Sequence, residues 1–441
     1  MSLDLAPYRP IARRAAAPGV EGRLSDAVGL VLEARGLRAT LGDVYELRPS
    51  GRLPLEAEVV GIRGERTLLM PLGQTDGLEV GTPLRRVGRS LYTSVGRALL
   101  GRVVDGLGRP IDGGPALELD AERPLYGTDQ NPLRRRPIEE GFSVGVRAID
   151  GVLTFGVGQR VGIFAGGGVG KSSLLAMMVK NAQADVTVIA LIGERGREVE
   201  EFVNRTLGKT GLKRSVVVAA TSSEPPLVRA RGALYAATVA EYFRAKGHRV
   251  LFMMDSVTRY AMALREIGLA TGEPPTTKGY TPTVFAALPR LLERAGNSAG
   301  PGSITGIYTV LVEGDDLADP IADACRAILD GHIVLSRDLA ERGHFPAVDI
   351  PKSVSRVMGS VTTPEHRGAA GKARSLLASY REAEDLLAIG AYREGFVPRL
   401  DEAIARMPDL EGFLRQDLDE PSDLAGSEAA LRALWSKPHA K

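Results

Sequence analysis

The sequence predicts an α/β protein in three parts: a small N-terminal β-barrel, a central parallel sheet covered by helices, and a C-terminal helical domain. Three observations lead there. Short runs rich in Val, Leu and Ile, broken by Gly, Pro and Asp, crowd into residues 25–88. From about Gly141, continuous apolar runs alternate with helical ones. After Thr363, Ala, Leu, Arg and Glu recur at helical spacing with few strand signals. A chain of 441 residues also exceeds what one core serves, so two or three domains are expected.

The first group of runs is Ala27–Ala34, Asp43–Leu47, Leu55–Ile62 and Thr67–Leu72. Several short strands close together suggest a small barrel or sandwich. The stretch Leu117–Pro137 is rich in proline and charge, has no period, and reads as a linker. The central runs pair off as strand then helix: Gln159–Ala165 with Ser172–Ala182, Val186–Ile192 with Glu198–Leu207, Ser215–Ala220 with Val228–Ala245, and Val250–Asp255 with Thr258–Ile267. Unbroken apolar strands of this kind are buried on both faces, as in a parallel sheet. Ile304–Val312 and His332–Leu335 are expected to extend it. The expected boundaries are an N-terminal tail at 1–24, a barrel at 25–95, a phosphate-loop domain with its linker at 96–362, and a helical domain at 363–441.

Lys plus Arg number 56 and Asp plus Glu 54, a balance that gives no support to a general nucleic-acid binder. The single cysteine, Cys325, cannot form a disulfide within the chain and reads as a small buried apolar residue, which fits a reducing compartment. None of the five histidines stands at metal-ligand spacing with another His or a Cys. No uninterrupted apolar stretch of about 18 residues occurs, and the first residues have no signal-peptide pattern. A cytoplasmic protein is expected, with membrane association through partners left open.

Chemistry enters at Ala165-Gly166-Gly167-Gly168-Val169-Gly170-Lys171-Ser172, which leaves an apolar strand and opens a helix. Glycines let the backbone curl so that several N–H groups face one anion, and the helix N-terminus adds its positive end. Lys171 would reach the β- and γ-phosphates of ATP and the Ser172 hydroxyl would ligate Mg²⁺. The usual pattern begins with Gly, where this chain has Ala165. Val250–Asp255 is an apolar strand ending in a carboxylate, suited to hold the metal shell through water; as a bare pattern Asp255 also suits a helix cap.

With these residues in view, the chain resembles the hexameric ATPases related to the catalytic subunit of the rotary ATP synthase, with a P-loop (RecA-like) core. Within that group it is most similar to the flagellum-specific ATPases of the type III protein export apparatus. Gly166–Ser173 matches the phosphate loop, and the export branch commonly has Ala at position 165. Ile192-Gly193-Glu194-Arg195-Gly196-Arg197-Glu198 matches the catalytic segment. Pro346–Ser355 matches the family signature, followed by Arg356. Gly272–Pro275, Glu313–Asp316 and Ile328–His332 are export-branch phrases.

The resemblance implies an ATP- and Mg²⁺-dependent hydrolase with Lys171, Glu194, Arg195, Asp255 and Arg356 as catalytic residues. Glu194 would orient the attacking water, and Arg195 and Arg259 would neutralise γ-phosphate charge. Arg356 would act as a finger on the ATP of a neighbouring subunit. Nucleotide binding falls to Gly166, Gly167, Gly168, Val169, Gly170, Lys171, Ser172 and Ser173, with Phe345 packing on adenine and Phe413 as a second aromatic candidate. Ser172 and Asp255 would serve Mg²⁺.

The implied partners are five further copies in a homohexamer, a regulatory stator protein, a central stalk protein, the membrane export gate and export chaperone–substrate complexes. The implied place is the cytoplasm, peripheral to the inner membrane. Arg9, Arg13 and Arg14 are candidates for the stator contact. An injectisome ATPase of virulence-type secretion would share the same chemistry. An RNA-dependent translocase of the termination-factor type would need stacking aromatics in the barrel, where Ser25–Gly88 offers only Tyr45. A nucleotide-binding but inactive subunit is disfavoured by the presence of both Lys171 and Glu194.

Overall fold

The computed structural model describes residues 21–49, 53–89, 91–127, 131–395 and 397–436. Arg9, Arg13 and Arg14 lie outside them. Six strands close the N-terminal barrel: β1 Gly22–Val28, β2 Val31–Arg35, β3 Asp43–Leu47, β4 Leu55–Arg63, β5 Arg66–Pro71 and β6 Pro83–Arg89, in the order β1-β2-β5-β4-β3-β6. The expected single run Ala27–Ala34 is instead a hairpin. Gly29 turns at φ +59° between Val28 and Val31, a conformation that favours glycine. Inward residues such as Leu24, Leu47, Val59 and Leu69 fill the barrel. Tyr45 is fully buried among them, with its hydroxyl 3.3 Å from the Glu21 carboxylate, so it offers no platform for a stacked base.

The main sheet contains β7 Val103–Asp105, β8 Arg160–Ala165, β9 Val186–Ile192, β10 Ser215–Ala220, β11 Arg249–Asp255, β12 Ser303–Leu311, β13 Gly331–Val334 and β14 Val354–Ser355. Their order is β14-β13-β8-β12-β11-β9-β10-β7. All neighbours are parallel except β13 and β14, which are antiparallel. The run expected to be all linker contributes a strand, Ala121–Pro124, which pairs with Tyr92–Val95.

Both faces of the sheet are dry, which explains the unbroken apolar runs. In β9, Val188, Ala190 and Ile192 face one core, while Ile189 and Leu191 face another. The first core is covered by α3 Pro226–Ala245, α4 Val257–Ala270 and α5 Pro282–Leu292; the second by α1 Lys171–Asn181. Three C-terminal helices, α7 Pro364–Ala388, α8 Pro398–Leu414 and α9 Leu424–Ser436, join that second core through Ala373, Leu410 and Leu431. Helices α2 Gly196–Glu201 and α6 Pro320–Ile328 complete the elements used below. Burial at about 25 cal/mol per Å² of apolar surface makes this shared core the chief tie between the helical region and the sheet.

The barrel meets the sheet domain through a smaller apolar patch that includes Val44, Met70, Leu227 and Val228. A nearly buried ion pair, Arg231 to Glu58 at 3.1 Å, crosses the same boundary. Among the described residues, no helix is long and apolar enough to cross a membrane.

Candidate functional site

The site forms at the C-terminal ends of the parallel strands β8, β9 and β11, where residues 166–172, Glu194 and Asp255 leave the sheet on one edge. Strand β8 delivers the chain to residues 166–170, and α1 carries it away. Gly168 and Gly170 turn the loop at φ +78° and +88°, values that an L side chain rarely adopts. Val169 points down and is 1% exposed, which pins the loop to the core. Gly167, Gly168, Ser172 and Ser173 face outward, so loop amides and both hydroxyls are open to a ligand.

Position 165 is the last residue of β8, and its methyl group is buried in the core. It does not have a left-handed backbone, so glycine is not required there. Position 166 is different. A Cβ there would stand 2.5 Å from Asp315 Oδ1 and 2.9 Å from an Arg337 nitrogen. These two side chains pair with each other at 3.1 Å over the loop.

The Lys171 ammonium is held by Asp255 Oδ1. The same oxygen accepts a hydrogen bond from the Thr309 hydroxyl at 2.6 Å. Glu194 follows β9 after Gly193, whose missing side chain lets Arg259 pack close: a Cβ there would lie 2.8 Å from Arg259 Cβ. One Glu194 oxygen is shielded from solvent and has no hydrogen-bond partner. Burial, then the negative charge of Asp255 and a hydrogen bond with Glu198, push the Glu194 carboxyl up to about 8, with Lys171 opposing. Glu198 is held below its ordinary value, chiefly by that same hydrogen bond.

Arg195 does not join this group. Its side chain is 83% exposed and reaches only Glu198, at 3.7 Å. The turn at the start of α2 aims it at solvent, whereas the Arg259 stem packs over Gly193, next to Glu194. Phe345 lies against the loop, with ring carbons 3.3 Å from where a Gly170 Cβ would be. It is 44% exposed, a large apolar surface left open beside the phosphate site.

Phe413 corrects the expectation made for it. Its ring is buried against Gly151, where a Cβ would meet it at 2.7 Å, so it belongs to the core of the helical region. The residues that do connect that region to the site are its neighbours. The Gln416 backbone N–H donates to the Phe345 carbonyl at 3.0 Å, and the Gln416 side chain accepts from the Arg147 amide at 2.8 Å. Two residues on, Leu418 is 43% exposed.

Arg356 is far from the loop of its own chain. Ser355 is level with Gly331, and His332 is level with Gly162 near the start of β8. The phosphate loop leaves the other end of β8, about 13 Å away at ~3.3 Å per strand residue. The Arg356 side chain is exposed at this sheet edge and donates to the Arg326 carbonyl at 3.2 Å.

Sequence reading thus missed Glu198, Thr309 and Gln416. Glu198 lay within the catalytic segment, and Thr309 was one of three hydroxyls in the run Ile304–Val312, with Thr305 and Tyr308; nothing local marked Gln416. Among the described residues, no three His, Cys, Asp or Glu side chains cluster as a metal cage. The Ser172 hydroxyl and the Asp255 carboxylate flanking Lys171 are oxygen donors of the kind Mg²⁺ takes alongside water and phosphate, so the residues present fit that ion.

The nucleotide-binding domain model of the ATP synthase alpha/beta family matches residues 145–355. The beta-barrel domain model of that family matches 25–88, and the C-terminal domain model of the type III secretion ATPase EscN matches 362–433. A flagellum-specific ATP synthase of Bacillus subtilis is 52% identical over 416 residues, covering 94% of each chain. A type 3 secretion system ATPase of Xanthomonas euvesicatoria is 51% identical, covering 94% of this chain and 93% of that one. The assembled ATPase EscN from enteropathogenic E. coli, solved in complex with its central stalk EscO, superposes with a TM-score of 0.87 at 46% identity, over 94% of this chain and all of that one.

Proposed function

This chain belongs to the ATP synthase alpha/beta family, in its type III export branch, and hydrolyses ATP; we propose that it does so for the export of flagellar proteins, at sites shared between neighbouring copies in a homohexamer. The observation that carries the shared site is the position of Arg356. It stands about 13 Å of strand away from its own phosphate loop, so a finger role requires the loop of another copy. The assembled state of EscN supports a ring.

In this reading the amides of residues 166–170 and the Lys171 ammonium take the phosphates. Lys171 must leave Asp255 to do so. Ser172 and Asp255 would hold Mg²⁺, which when bound offsets charge on the β- and γ-phosphates. Phe345 offers the adenine an exposed apolar surface beside the loop. Glu194 orients the attacking water and takes its proton at the carboxylate, which requires Glu194 to be ionised. Arg259, packed over Gly193 beside it, would help neutralise γ-phosphate charge, and Arg356 of the neighbour stabilises the spread charge of the transition state.

The central stalk in the EscN complex supports a stalk partner for this chain. A regulatory stator, the export gate and chaperone–substrate complexes complete the proposed set, with a cytoplasmic site peripheral to the inner membrane. Injectisome relatives are nearly as similar as flagellar ones, so the branch needs a biological test. Expression in a host lacking its flagellar export ATPase is expected to restore swimming. Restored effector secretion in an injectisome-deficient host, without swimming, would overturn the flagellar assignment. For the shared site, specific ATPase activity is expected to rise with protein concentration as copies assemble. A flat profile down to a verified monomer would overturn it.

A further inference from the structure

Asp255 holds its two donors through one oxygen. Lys171 and Thr309 both donate to Oδ1, and Oδ2 accepts no hydrogen bond from any described residue. Thr309 sits on β12, between β8 and β11, and is fully buried. Its backbone is level with Ile163 of β8, so neither sheet neighbour leaves it room to drift. Its residue two earlier, Ile307, points into the same apolar core as α1. Thr309 thus brings a buried hydroxyl to the end of this face, one that must find a hydrogen-bond partner.

A threonine hydroxyl has one proton. The candidates to accept it are Asp255 Oδ1 at 2.6 Å and the Met254 carbonyl at 3.3 Å. The shorter bond to the carboxylate prevails, because charge-assisted hydrogen bonds are shorter and stronger than neutral ones.

The consequence appears when nucleotide arrives. Lys171 turns to the phosphates, and Asp255 keeps only Thr309. We propose that Thr309 is a positioning residue, which holds Oδ1 of Asp255 so that Oδ2 stays turned toward the metal shell after Lys171 has moved. The inference rests on the reading of Asp255 as the acid that serves Mg²⁺. It adds that a neighbouring strand, and not the lysine, fixes the carboxylate in the loaded site.

The test compares full-length Thr309→Val, Thr309→Ser and Asp255→Asn with the parent chain. The measurement is binding of a fluorescent ATP analogue, first without magnesium and then across a magnesium titration. Valine keeps the shape of threonine and removes only the hydrogen bond. Thr309→Val is expected to keep magnesium-free affinity within about twofold while raising the half-saturating magnesium about tenfold, the size of one lost hydrogen bond to a charged group. Thr309→Ser is expected to restore the parent titration.

A Thr309→Val titration that matches the parent, while Asp255→Asn shifts, overturns the role of Thr309 and leaves that of Asp255 standing. An Asp255→Asn titration that matches the parent overturns both. Equal losses with and without magnesium in Thr309→Val would also overturn the proposal, since a purely structural role predicts them. If the valine variant lacks a cooperative thermal transition, Thr309→Ala gives the same readings with less strain.

Discussion

Lys171 and Asp255 form an ion pair inside the phosphate crevice, with only 14% and 10% of their side chains exposed. Removing one partner of a desolvated pair leaves the other charge uncompensated. The pair therefore competes with ATP for the lysine. Asp255→Asn frees Lys171, and the magnesium-free affinity for ATP is expected to rise on the order of tenfold. Hydrolysis by the same variant is expected to fall at least ~100-fold, since the acid is lost from the reacting site. Isothermal titration and phosphate release check the two halves. A variant that binds more weakly without magnesium would contradict the competition.

Glu194 gives the site a pH dependence with a definite sign. Its carboxyl is pushed up to about 8 by burial, by Asp255 and by Glu198. Water activation needs the ionised form, so kcat/KM, which reports the nucleotide-free enzyme, is expected to climb with pH toward and through about 8. Stability of the nucleotide-free protein runs the other way. The folded state binds more protons than the unfolded state between the ordinary glutamate range and about 8, so this group's contribution is lost as pH rises through that window. Glu194→Gln mimics the protonated acid. It is expected to bind ATP, to lose about 100-fold or more in turnover, and to flatten the decline of the thermal midpoint across that same window. A Gln variant whose midpoint falls with pH as steeply as the parent's would remove Glu194 as the cause.

Some of this was legible in the sequence. The strands β9, β10 and β11 carry long apolar runs with no in–out alternation because both faces are covered, and such runs announce themselves. The phosphate loop was equally plain, since its chemistry is local: glycines, a lysine and a hydroxyl in consecutive positions. The hairpin at Gly29 was not, because Val28, Leu30 and Val31 continue the apolar run across the turn. Helix α5 lacked a clear signal, with Pro282 opening it and Pro289 inside it. Arg195 looked catalytic by adjacency to Glu194, but one residue turns a side chain away at the entry of a helix. Glu198, three residues on from Arg195, comes back to the carboxyl. Gln416 meets Phe345 only through the docking of the helical region, a contact across dozens of residues that no local pattern encodes.

Arg356 and Glu194 supply a complementation experiment. Arg356→Ala and Glu194→Gln are each expected to be nearly inactive alone. In mixed rings, some sites combine the intact Glu194 of one variant with the intact Arg356 of the other. Random mixing at equal amounts makes about a quarter of the sites whole, and activity is expected to recover toward that fraction. Activity that stays at the level of the separate variants, in rings shown by cross-linking to be mixed, would place both residues in one protomer's site.

Two phenylalanines separate a binding surface from a core. Phe345 is 44% exposed beside Gly170, whereas Phe413 is 6% exposed against Gly151. Removing an exposed ring costs little in folding but takes away a surface for the base. Phe345→Ala is expected to raise the KM for ATP about tenfold with kcat nearly unchanged, and Phe345→Tyr to stay close to the parent, because the ring and not its substituent makes the contact. Phe413→Ala leaves a cavity between α8 and Gly151 and is expected to destabilise the fold by about 3–5 kcal/mol in urea unfolding. That loss should be the same with and without nucleotide, since the ring does not face the loop. A nucleotide-dependent loss in Phe413→Ala would return this residue to the binding site, and an unchanged KM in Phe345→Ala would take Phe345 out of it.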